Sequence, residues 1–240
     1  MRRRAVAVTP PMYNAIDPAR IIETLSRLHG RICERFPNSG LSRVCAEMVT
    51  TAGGLVGQAH KLAAPNWPLR MVVGAIIVAG VIAQFAAAEF LHLEDIEANV
   101  GLLQSLEAAV NLLILFGGAA WFLLTLEERV KRRVALDALH TLRSLAHVID
   151  MHQLTKDPAA LVQERAPPRA MSKFQLTRYL DYCAEMLALI GKLAALYAER
   201  MRDPVVIDAV TEIENLTTGL ARKIWQKIAA IGQLEDSGHT

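Results

Sequence analysis

An all-α membrane protein, a two-helix transmembrane hairpin joined to a cytoplasmic helical bundle built from N- and C-terminal helices, is the fold class this sequence predicts. Three observations predict it. Two apolar stretches, 71–88 and 108–126, contain no Asp, Glu, Lys or Arg, and about 18 uncharged apolar residues already suffice to span a bilayer. Charge is sorted around them. Residues 1–70 hold ten Lys or Arg against four Asp or Glu, the connection 89–107 holds five acids and no base, and Arg129, Lys131, Arg132 and Arg133 follow the second stretch. The remaining chain reads as amphipathic helix.

Loops rich in Lys and Arg stay on the cytoplasmic side. Both termini are therefore expected in the cytoplasm of a bacterial-type plasma (inner) membrane, with the acidic loop outside. Trp67 and Arg70 at the entrance of the first span, and Trp121 and Phe122 late in the second, suit interfacial anchoring. Composition agrees, since 52% hydrophobic beside 21% charged residues means that charge is segregated rather than scarce. A net charge of +2 without a basic, aromatic-interleaved patch argues against nucleic acid. Cys33, Cys45 and Cys183 all fall on the expected cytoplasmic side, where thiols stay reduced, and no metal-type cysteine spacing exists.

In chain order, residues 1–16 lack periodicity and are expected to be disordered. Asp17-Pro18 is a helix start, an N-cap acid before a first-turn proline. Ile21, Leu25, Leu28, Ile32 and Phe36 then repeat at helical spacing, and Pro37 to Gly40 turns the chain. A second helix carries Leu41, Val44, Met48, Leu55, Ala59 and Leu62 on one face until Pro65 and Pro68 break it. These make a cytoplasmic helical hairpin over 17–66. The transmembrane hairpin follows over 67–126, with spans at about 70–89 and 108–126. No breaker appears between about Glu94 and His152, so one long helix is expected there.

A linker with Pro158, Pro167 and Pro168 precedes a heptad in which Leu176, Cys183, Ile190 and Tyr197 alternate with Tyr179, Met186 and Leu193. Asp203-Pro204 starts the last helix, with Val206, Val210, Ile213, Leu220, Ile224 and Ile231 inward. Residues 127–233 thus read as a three-helix bundle, which the N-terminal hairpin is able to join, and 234–240 as a polar tail.

Three groups of residues are candidates for function. Ala75, Ala79, Ala83 and Ala87 form a small-residue ridge on the first span, and Asn111, Gly118 and Thr125 share a face of the second. Such faces let helices approach closely, while Asn111 and Gln84 offer amides for interhelical hydrogen bonds. The ridge serves contact within one protomer, a homo-oligomer, or a polar path. The cluster Arg129, Lys131, Arg132 and Arg133 sets topology and attracts anionic membrane lipids. Asp137, His140, His147 and Asp150 lie away from the apolar stripe of their helix and suit a partner contact. Even with His152 they match no di-metal pattern, because Asp137-x-x-His140 has no matching pair.

No nucleophile elbow, phosphate loop, dinucleotide fingerprint or zincin helix is present. The expectation is a non-catalytic scaffold, adaptor or accessory subunit of a membrane complex, with no cofactor or metal. Its partners are lipids, other membrane or cytoplasmic proteins, or further copies of itself. The alternative is a homo-oligomeric pore or channel lined by the second span.

Overall fold

A computed structural model describes residues 16–91, 100–156 and 171–236, which form seven helices and no strand. They are α1 (Pro18–Arg35), α2 (Gly40–Ala63), α3 (Trp67–Leu91), α4 (Val100–Leu124), α5 (Leu126–Leu154), α6 (Lys173–Arg200) and α7 (Pro204–Asp236). The expected disordered start and most of the proline-containing linker lie outside the described residues, as do 92–99 of the outer loop and the tail from 237. Two compact units result, one from Met1–Ala63 with Val134–Thr240, the other from Ala64–Arg133.

In the first unit, the helix starts follow from local chemistry. The Asp17 carboxylate accepts the Ala19 N–H at 2.9 Å, and Asp203 does the same for Val205 at 2.9 Å. Ser172 and Gln175 form a reciprocal capping box at the start of α6. Between α1 and α2 the chain turns through Asn38, whose φ of 57° is left-handed, a conformation that asparagine tolerates better than most residues. Gly40 is required next, because a Cβ there would sit 2.5 Å from Cε1 of His152.

One apolar core joins α1 and α2 to α6, α7 and the C-terminal part of α5. The heptad places α6 at its centre. Leu176, Cys183, Ile190 and Tyr197 are buried, and so are Leu180, Leu187 and Ala194 on other sides of the same helix. A helix buried around most of its circumference needs neighbours on several flanks, and α6 packs against α1, α2 and α7. Specific contacts pin the N-terminal hairpin to it. Phe36 meets Tyr179 and Tyr182 edge-on at 5.6 and 6.3 Å, Arg31 pairs with Glu185, and the Tyr197 hydroxyl donates to the Leu55 carbonyl at 2.9 Å.

The second unit has a different character. Its helices α3 and α4 are 25 residues each, about 37 Å at 1.5 Å per residue. They meet where a Cβ on Gly80 would lie 2.6 Å from the Phe116 ring. Among the described residues, one candidate stretch, Gly40–Ala83, which takes in α2 and the described apolar part of α3, meets the length and composition needed to cross a membrane.

Two expectations are corrected. The continuous helix from about Glu94 to His152 is interrupted at Thr125, between α4 and α5. No proline or glycine causes it. The Thr125 hydroxyl bonds the carbonyls of Trp121 and Phe122 at 3.2 and 3.1 Å, while the backbone bonds from Thr125 N–H to Trp121 and from Arg129 N–H to Thr125 run through the turn at 3.1 and 3.2 Å. Pro68 does not break a helix either. It sits in the first turn of α3, where a missing N–H costs nothing, and the break is made at Ala64 to Asn66.

Candidate functional site

On α3 the covered positions are Val73, which is buried, and Gly74, Ile77 and Gly80, which are half-buried. Ala75, Ala79 and Ala83 are exposed instead. The ridge of alanines therefore lies off the line along which α3 meets α4. The side chains of Ala87 and Gln84 fall outside what the structure describes. On α4, Asn111 and Gly118 are exposed, whereas Phe116, Ala120 and Leu123 are the half-covered positions. Asn111 and Gly118 thus point away from the α3 side, and the Thr125 hydroxyl is spent on its own backbone.

A junction that sequence reasoning did not find lies where α3 begins and α5 begins. The Glu127 carboxylate, only 12% exposed, accepts from Arg70 Nε at 2.6 Å and from the Asn66 N–H at 2.9 Å. It also pairs with Lys131 Nζ at 2.8 Å, and Lys131 donates in turn to the Ala64 carbonyl at 2.7 Å. The hydrogen bonds from Lys131, Arg70 and the Asn66 amide hold the Glu127 carboxyl at about 2, well below the usual carboxylate range. Only one signal for this is present in the sequence, the i,i+4 spacing of Glu127 and Lys131. The pairing with Arg70 spans 57 positions and no local pattern announces it.

That junction divides the basic cluster. Lys131 is drawn into it and is 20% exposed. The Arg129 guanidinium lies 4.9 Å from the centre of the Phe122 ring, and Arg133 is exposed. A pH dependence follows with a definite sign. Because the folded carboxyl is depressed, its stabilisation is present above the unfolded value near 4.5 and is lost as pH falls toward 2. Glu127→Gln is expected to remove this acid-side transition, read from the emission of a variant whose only tryptophan is Trp67. An unchanged acid limb would mean that the junction contributes nothing.

On α5, Asp137, His140 and His147 are exposed on one face. Asp150 is half-buried and accepts from Gln153 Nε2 at 2.6 Å, so it serves the core side of its helix. His152 is separated from this group and packs beside Gly40. Among the described residues no three His, Cys, Asp or Glu side chains are grouped to hold a metal. The buried thiols are equally quiet chemically. Burial pushes Cys45 and Cys183 up to about 12, Tyr197 to about 12, and Tyr179 upward as well, which keeps all four protonated at neutral pH.

Comparison with known proteins adds no identity. No protein-family model, curated protein or solved structure matches this chain. The chemistry of its own residues therefore carries the functional conclusion.

Proposed function

We propose that this protein is a membrane-anchored, non-catalytic scaffold, adaptor or accessory subunit whose helical bundle holds partner proteins at the membrane. One observation carries the membrane part. Ile76, Val78, Ile82, Ile114 and Leu115 are all at least half exposed on α3 and α4, whereas the first unit buries its apolar stripes in an ordinary core. In water so continuous an apolar surface would be a liability, and in lipid it is the required exterior. Two pairings support an antiparallel hairpin for α3 and α4. Arg70 meets Glu127 and Gly80 meets Phe116, so advancing along α3 corresponds to retreating along the segment that follows it.

The positive-inside pattern then puts both termini in the cytoplasm. The scaffold reading gains from the inert core thiols and from the exposed Asp137, His140 and His147 face. It is favoured over a pore because the uncharged stretch 108–126 offers one exposed carboxamide, Asn111, and a threonine, Thr125, whose hydroxyl is already bonded. A water-filled path ordinarily needs more polar groups than that.

The test has two stages. Alkaline carbonate should leave the protein in the membrane pellet, and an impermeant thiol reagent should label Glu94→Cys from outside but not Ser237→Cys. With that established, His140→Ala combined with His147→Ala should deplete a co-purifying protein while membrane retention stays the same. Unchanged co-purification would move the partner surface elsewhere on the bundle.

A further inference from the structure

The α1–α2 hairpin bears a surface cavity of about 470 Å³, lined by His29, Asn38, Ser42, Arg43 and Ala46. It is an open depression, with Asn38 and Arg43 exposed on its rim and His29 half-buried. Its chemistry is one-sided. The lining supplies a guanidinium, an imidazole and a carboxamide as donors, and it contains no carboxylate. Ser42 is buried, with its hydroxyl donating to the Ser39 carbonyl at 2.8 Å, so the floor is held in place. Arg43 makes no salt bridge among the described residues, in contrast to Arg31 and Arg143, which pair with Glu185 and Glu212. Glu47, one turn further along α2, is exposed and leaves Arg43 unpaired. His29 reaches Cys33 Sγ with Nε2 at 3.3 Å, which keeps the ring at the cavity's edge.

An unneutralised guanidinium beside an imidazole in a cavity without carboxylates favours a compact, multiply charged anion with oxygen acceptors. The planar fork of arginine matches phosphate oxygens two at a time. The absence of any acidic side chain in the first turn of α2 leaves the field there positive as well. We propose that this cavity binds a phosphate monoester, with Arg43 as the principal contact and His29 beside it, the remaining volume taking the organic part. The same chemistry is available from a soluble phosphate compound or from the headgroup of phosphatidic acid. This assignment is independent of the membrane reading, since all its residues lie within one compact unit.

The experiment uses the full chain in dodecyl maltoside micelles. In one arm the phosphorus-31 line width of inorganic phosphate is followed as protein is added. In the other, the shift in thermal unfolding is measured with phosphatidic acid and with phosphatidylcholine. Broadening of free phosphate, weakened about tenfold or more by Arg43→Ala, establishes the site with a soluble source. A stabilisation specific to phosphatidic acid and lost in Arg43→Ala establishes it with a lipid source. Ala46→Phe, which fills the cavity while keeping the arginine, should abolish either signal, and Arg20→Ala, at the other end of α1, should keep it. Absence of both signals, or persistence of either in Arg43→Ala and Ala46→Phe, overturns the proposal.

Discussion

Arginines placed together at Ile76 and Leu115 are expected to move the protein out of the carbonate-resistant membrane fraction. Both positions are exposed, Ile76 nine residues after Trp67 and Leu115 ten residues before Thr125. At 1.5 Å per residue that is roughly 15 Å, near the middle of a 30 Å hydrocarbon core. One arginine at that depth costs about 2.5–3.5 kcal/mol on an insertion scale, and a hairpin carrying two bears both penalties. Trp225→Arg is the matched control. This tryptophan is also exposed, at 58%, but lies on α7 of the other unit, so its replacement should leave fractionation as it was. Retention of the doubly substituted chain at the level of the native one would remove the basis for the membrane reading.

The second large effect concerns the centre of the bundle. Ile190 is fully buried on α6, the helix against which α1, α2 and α7 pack. Ile190→Ala is expected to cost about 2–5 kcal/mol and Ile190→Val about 0.5–1.5 kcal/mol, since the first leaves a cavity bounded by rigid helices and the second removes one methyl group. Lys192→Ala, two residues on and exposed, should stay within about 0.5 kcal/mol. Chemical denaturation of the solubilised protein, followed by loss of helical signal, measures all three. Near-equality of Ile190→Ala with Lys192→Ala would show that α6 does not anchor the core.

Much of this architecture was legible because helix faces repeat along the chain. The apolar stripes of α1, α2, α6 and α7 could be read position by position, and Asp17-Pro18 and Asp203-Pro204 marked two helix starts through local capping chemistry. What periodicity does not contain is the identity of the neighbour. The alanines at 75, 79 and 83 do share a face of α3, yet Gly80, between two of them, is the residue that meets Phe116. The heptad of α6 announced one seam, whereas Leu180, Leu187 and Ala194 bury further flanks. Thr125 carried no breaker signature, because it is neither proline nor glycine and the turn there keeps its backbone bonds to Trp121 and Arg129. Glu127 was legible only as an i,i+4 partner of Lys131. Its bonds to Arg70 and Asn66 depend on where two separate helices begin.

The hydrogen bond from Tyr197 to Leu55 joins residues 142 positions apart. During synthesis the early hairpin therefore emerges long before the helix that covers it, and the apolar segments 71–88 and 108–126 leave the ribosome in the interval. Residues such as Leu25, Leu28 and Met48 join a core in which α1 and α2 already pack on each other, and that core is complete only when α6 has been made. A nascent chain stalled before residue 173 would leave the side of that hairpin that meets α6 open to chaperones and proteases. The core of the first unit is thus closed by the last part of the chain to be made, long after its first helices.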